Sequence, residues 1–274
     1  MDINAPINEP SNHCKFIKRI HPQDHKHHFN SLLLHPFQPL REYTIYTING
    51  FTPVDVLILL IDQAKKAMTF SIYTERDYQT SKVTTISIEF IQVEHIKSSV
   101  LLFDLLNQPD ETTCLFSVIK FLLLYIFKSE KRCFIWNNEQ QHDLYAFVDT
   151  KYLPKVILES IKIIQLQQPF KDWYNKTFQH NKNCFVRSSY RNDSIYCSCP
   201  YRPYKNINDE WNLMKALNYV FNEFFYIINE DPTDTLYNVK YSVICCFILT
   251  KLSMAIELNW TMEQLYQYKK FHQS

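Results

Sequence analysis

The chain has 274 residues and a single glycine, Gly50. The phosphate-cradling loops of Walker NTPases, the turns of dinucleotide-binding folds and the covering loop of protein kinases all need several glycines. No nucleotide cofactor is therefore expected. Long apolar runs are also missing. The longest, Leu115–Phe127, is interrupted by Lys120 and falls short of the ~18 residues that span a bilayer, so no membrane partner is expected. The formal net charge is only +1, so contact with nucleic acid would have to come from a local basic patch. The opening MDINAPINEPSNHCKF lacks the apolar stretch of a signal peptide. The eight cysteines are accordingly expected as reduced thiols in a soluble intracellular protein, cytoplasmic or nuclear.

What is present suits a packed domain, with 46% hydrophobic and 21% charged residues. Residues 1–40 read as a polar, poorly ordered lead-in, and 41–274 as the folded domain. Met68–Val93 is the clearest element. Phe70 and Ile72 alternate with Ser71, Tyr73 and Glu75; Asp77, Gln79, Thr80 and Ser81 supply a reversal; Ile86, Ile88 and Phe90 alternate with Ser87 and Glu89. This pattern predicts a hairpin of two half-buried strands. Before it, Arg41–Asn49 reads as a strand, followed by a helix with Thr52 as N-cap and Pro53 at its first position.

Further on, Val100–Leu105, Cys133–Trp136 and Ile161–Leu166 read as short buried strands. Helices are expected over Leu115–Ile126, Asp143–Phe147 and Lys171–Phe178, over Asp209–Ile228 with Asp209 as N-cap, and over Leu236–Leu258. The order predicts α/β with a mixed sheet.

These elements resemble the 3′–5′ exonuclease branch of the RNase H-like superfamily, the group with the Werner-type and proofreading exonuclease domains. The resemblance covers roughly 51–251, excluding a polar insertion at about 180–208. It implies a three-layer fold with a mixed central β-sheet flanked by helices. It also implies four carboxylates holding two Mg²⁺ or Mn²⁺ ions ~4 Å apart, which activate water and steady the leaving oxygen.

The family's first-strand Asp-x-Glu falls on Tyr73-Thr74-Glu75. Its second motif falls on FIWNNEQQHDL, pointing to Asp143 but without the family's glycines. Its last motif, Tyr-x-x-x-Asp, falls on Tyr241 with Cys245 in the aspartate position. The implied catalytic remnant is Glu75, Asp143 and Tyr241, with Glu75 and Asp143 as the two remaining metal ligands. A phenol and a thiol suit hard cations poorly. The expectation is a catalytically impaired exonuclease-like protein that binds single-stranded nucleic acid or a protein partner, with no cofactor. An active exonuclease using Mg²⁺ or Mn²⁺ stays open as an alternative, with an oxygen from Asp77, two residues past Glu75 on the same strand face, or from Asp104. So does an interaction module without nucleic-acid binding. Plainer roles are also open: Glu75 and Asp143 as solvated element ends, Tyr241 as a core tyrosine, Cys245 and Cys246 as small hydrophobes, and Trp211 with the aromatic run 221–226 as core.

The insertion interleaves Arg187, Arg191, Arg202 and Lys205 with Tyr190, Tyr196, Tyr201 and Tyr204. Cations for phosphates and rings for bases make a single-strand-binding composition. Arg187, Arg191, Arg202, Tyr204 and Lys205 are the candidate nucleic-acid contacts, against the plainer reading of an exposed polar loop. Cys184, Cys197 and Cys199 in the same stretch raise zinc, although three sulfurs with a Cys-x-Cys spacing fall short of a usual site. His13, His21, His25, His27, His28 and His35 near Cys14 raise metal in the lead-in, against a solvated segment.

Overall fold

The structure, a computed structural model, describes residues 34–77, 79–91, 97–180, 199, 201, 209–225 and 235–272, with side chains from 240 onward in the last stretch. In chain order the elements are β1 (His35–Pro36), β2 (Glu42–Ile48), α1 (Val54–Lys66), β3 (Thr69–Arg76), β4 (Val83–Ile91), β5 (Lys97–Asp104), α2 (Cys114–Ile126) and β6 (Arg132–Ile135). There follow α3 (Asn138–Asp143), α4 (Ala146–Asp149), α5 (Lys155–Ser160), β7 (Lys162–Gln165), α6 (Gln167–Thr177), α7 (Leu213–Phe221), β8 (Glu223–Phe224), α8 (Thr235–Glu257) and α9 (Met262–His272).

Six strands form one sheet in the order β2-β5-β4-β3-β6-β7. β4 runs antiparallel to both neighbours, and every other pairing in this sheet is parallel. The β3–β4 hairpin thus sits in the middle, as the alternation predicts. Phe70 pairs with Phe90, Ile72 with Ile88 and Glu75 with Thr85, and the register shifts between Glu75 and Arg76.

Alternation sends Phe70, Ile72, Ile86, Ile88, Phe90, Leu101 and Phe103 to one face. There they are buried with Leu57, Leu60 and Ala64 of α1 and Ile119, Leu122 and Leu123 of α2. Burying each such large side chain is worth about 1.5–3 kcal/mol. The other face meets α8 and carries Ser71, Tyr73, Ser87 and Glu89. Ser87 Oγ lies 2.7 Å from Ser242 Oγ, and the Cys246 thiol donates to the Ser87 carbonyl. A second apolar cluster, with Trp136, Phe170, Trp173, Trp211, Leu217 and Ile248, packs α6, α7 and α8 together beyond the sheet.

Several element ends differ from the sequence expectation. α1 starts after Pro53, which is itself the cap residue. The Thr52 hydroxyl faces back, donating to the Thr47 carbonyl and accepting from the Asn49 amide. α7 begins at Leu213 rather than Asp209, because the Asn212 side chain accepts from the Met214 amide. It stops at Asn222, which takes a left-handed conformation (φ 61°). The chain then leaves as β8, pairing with β1, and buries Glu223 against Lys251 at 2.6 Å. α9 is an element that the sequence reading lacked. Thr261 and Gln264 bond reciprocally at its start, and Leu265 and Tyr268 pack against the second apolar cluster. Among the described residues no helix is long and apolar enough to cross a membrane.

Candidate functional site

The cleft forms where the C-terminal end of β3 meets α3, the start of α7 and α8. Sequence dictates each part. Asn137 starts α3 by accepting the Gln140 amide, and six residues of helix then deliver Asp143 to the sheet edge. Tyr241 and Cys245 stand one turn apart on α8 and reach the same strand face as Tyr73 and Glu75. The structure therefore brings together all five positions that the motifs indicate. The cavity measures about 480 Å³ and is lined by Tyr73, Glu75, Arg76, Asp143, Trp211 and Tyr241, among others.

Asp143 is buried, not a solvated helix end. Its Oδ1 accepts from Arg76 Nε at 2.8 Å and Nη2 at 2.5 Å, and its Oδ2 accepts from Thr74 Oγ1 at 2.5 Å. A guanidinium and a hydroxyl thus hold both oxygens. The pair in turn raises the Arg76 pKa further, through its hydrogen bond to Asp143 and the attraction between them. Glu75 stands nearby. Burial, reinforced by the negative charge of Asp143, pushes its pKa up to about 7.

The Tyr73 and Tyr241 rings meet edge to face with centroids 6.0 Å apart. Tyr73, Tyr241 and Cys245 lie close enough to shift one another's titration. Burial is the leading reason that both phenols and the Cys245 thiol lose protons only at far higher pH than usual. Near neutral pH all three are uncharged.

This donor set does not fit a pair of Mg²⁺ or Mn²⁺ ions. Such ions need several anionic oxygens. Here one carboxylate is bound to a guanidinium, Glu75 supplies the other, and the two remaining motif positions present a neutral phenol and a neutral thiol. The two proposed substitutes do not close the gap. β3 ends at Arg76, so Asp77 falls in the turn, where its Oδ1 accepts from the Thr80 amide and hydroxyl. Asp104 shares a sheet row with Glu75, two strands away across Thr85, but its oxygens accept from Leu106 and Asn107 of its own loop. Among the described residues no group of three or more histidine, cysteine or acidic side chains is placed to hold a metal.

Comparison with known proteins adds three solved structures. No protein-family model matches the chain, and no curated protein matches it by sequence. Trypanosoma brucei RNase D is 11% identical with a TM-score of 0.47, over 79% of this chain and 65% of that one. The same enzyme in complex with RNA U12 is 11% identical at 0.46, over 82% and 64%. Escherichia coli RNase D, an exoribonuclease involved in structured RNA processing, is 13% identical at 0.46, over 82% and 49%. The chain thus spans between about half and two thirds of these proteins' lengths. The sheet bears out the expected α/β arrangement, a mixed central sheet flanked by helices.

Arg187, Arg191, Arg202, Tyr204 and Lys205 lie outside the described residues, as do Cys184, Cys197 and the histidines before residue 34. Cys199 is described and buried. Sequence reasoning missed Thr74 and Arg76, which hold Asp143, and it missed Trp136, Gln140, Glu139 and Glu210 in the cleft wall. A signal existed for Arg76: a cation directly after Glu75 at a strand end, within reach of whatever acid the sheet edge presents.

Proposed function

We propose that this protein is a catalytically silent relative of the 3′–5′ exonucleases. In this reading it keeps their scaffold, does without two-metal chemistry, and binds single-stranded nucleic acid. The observation that carries the reading is the grip of Arg76 and Thr74 on Asp143. The half-exposed Arg76 guanidinium brings to this carboxylate the positive charge that a metal ion would otherwise bring, and it occupies the oxygen that the ion would need. The neutral trio of Tyr73, Tyr241 and Cys245 supports the same view.

Charge also favours a location for the strand. The cleft wall includes Glu75, Glu139, Asp143 and Glu210 against Arg76. Without metal ions such a wall repels phosphates. The contact is therefore assigned to the basic and aromatic stretch with Arg187, Arg191, Arg202, Tyr204 and Lys205, where cations meet phosphates and rings stack on bases.

The test uses end-labelled single-stranded RNA and DNA with Mn²⁺. The expected result is no shortening, together with retention of the strands at low salt. Retention should fall as salt rises and weaken in Arg202→Ala and Lys205→Ala. Shortening that disappears in Glu75→Ala would overturn the reading. Absence of retention at low salt would instead favour an interaction module for proteins.

A further inference from the structure

A second cavity of about 420 Å³ lies at the other end of the α8-facing side of the sheet, where β3 begins. Thr69 borders it and Glu75 borders the cleft, six residues and about 20 Å apart along one strand. Ile91 from the sheet, Phe134 from β6, and Phe247 and Met254 from α8 give it an apolar side, and Arg41, Arg132 and Glu257 stand on its rim. Among them stands one buried carboxylate, Glu89, 4% exposed.

Glu89 is well built into this place. Ser98 Oγ donates to Oε1 at 2.6 Å, and Thr250 Oγ1 donates to Oε2 at 2.5 Å. Thr250 Oγ1 also lies 2.8 Å from Ser71 Oγ, so the two hydroxyls and the carboxylate form one hydrogen-bonded chain. An ionised carboxylate offers about four acceptor sites, and these two bonds use one on each oxygen. Holding a carboxylate in an apolar wall is costly unless a cation meets it. Of the cations on the same cavity, Arg132 is paired with Glu257 at 2.6 Å, and Arg41 attracts Glu89 through space.

We propose that this cavity is a binding site for a small organic cation: a primary ammonium on an aromatic or branched aliphatic body. The ammonium would bond to both Glu89 oxygens, and the body would lie between Phe134, Phe247 and Met254. The volume, an apolar side and a buried carboxylate held by two hydroxyls agree with a small-molecule site. The site is separate from the cleft, and its occupancy does not depend on whether the protein acts on nucleic acid.

The proposal carries a pH dependence. Burial pushes the Glu89 pKa up to about 7 in the unliganded protein. The groups facing it are Arg41 ahead of β2, Arg132 on β6, and Glu257 and Cys246 on α8. Arg132 and Glu257 are tied in one ion pair, and burial keeps the Cys246 thiol protonated. A ligand ammonium, like that of lysine, stays charged well above neutral pH. Affinity should therefore follow ionisation of Glu89 and be about tenfold weaker at pH 6 than at pH 8.

The experiment titrates the full chain with phenethylamine by calorimetry or NMR at pH 8, beside 2-phenylethanol, which keeps the body and replaces the ammonium with a neutral hydroxyl. The expected result is saturable one-to-one binding of the amine. The alcohol should bind at least about tenfold more weakly, and Glu89→Gln should show a similar loss. Met254→Trp, which fills the cavity from α8 and leaves the Glu89 carboxylate in the chain, should abolish binding and covers the case in which Glu89→Gln fails to fold. Equal binding of amine and alcohol, no saturable amine binding, or full affinity in a folded Glu89→Gln or Met254→Trp protein would each overturn the proposal.

Discussion

The two faces of the β3–β4 pair use opposite chemistries. The face under α1 and α2 buries Phe70, Ile72, Ile86, Ile88 and Phe90 against aliphatic helix faces. The face under α8 buries Ser71, Ser87, Glu89 and Ser242, each held by hydrogen bonds. The first is stabilised by volume and apolar area. The second is arranged around polar groups that contribute little to net stability and much to what the surface can bind. Both the cleft and the second cavity open on the second face. The difference suggests that function here is carried by one side of a strand pair, and stability by the other.

The largest effect should come from the apolar face. Phe70→Ala removes a fully buried ring that stacks edge to face on Phe90 at 5.2 Å. It should cost about 3–5 kcal/mol by denaturant unfolding, without changing the salt slope of strand retention in the protein that remains folded.

On the polar face, pH should act where it cannot on the other. Glu89 rises from an ordinary 4.5 to about 7 on folding. Between those values the native state holds a proton that the unfolded chain has lost. Its contribution to stability is thus fully present below about pH 4.5, declines as pH rises through 7, and is flat beyond. The loss should be of order 1–3 kcal/mol. Stability measured from pH 4.5 to 8 in the parent and in Glu89→Gln should show that slope in the parent and a flatter curve in the variant. Equal slopes would detach the effect from Glu89.

A smaller effect sharpens the contrast. Ser87→Ala or Ser242→Ala alone leaves a buried hydroxyl without its partner and should cost about 1–3 kcal/mol. The double variant should cost less than the sum of the two, which a double-mutant cycle reads directly. Additive costs would mean that the 2.7 Å contact contributes nothing of its own.

The hairpin and its faces were legible in the sequence because β-strand alternation is local: Phe70, Ile72, Tyr73 and Glu75 declare their sides within eight residues. The placement of Tyr241 and Cys245 opposite Tyr73 was legible through helical spacing once the resemblance in motif order was followed. The bond between Arg76 and Asp143 was not, since it joins residues 67 apart in the chain and no periodicity encodes it. The start of α7 was misread because Asp209 and Asn212 are both good caps and only packing chooses between them. The last helix could have been found from the Thr261-Met262-Glu263-Gln264 capping pattern, although its sparse apolar stripe hid it.

The central claim is that the acidic cleft no longer accepts paired hard cations. Titration of the full chain with Mn²⁺ at pH 8, followed by calorimetry, tests it most directly, because Glu75 is then largely ionised and the cleft has its best chance to bind. The account predicts no saturable Mn²⁺ binding that Asp143→Ala removes. Two Mn²⁺ ions bound at micromolar affinity and lost in Asp143→Ala would contradict it.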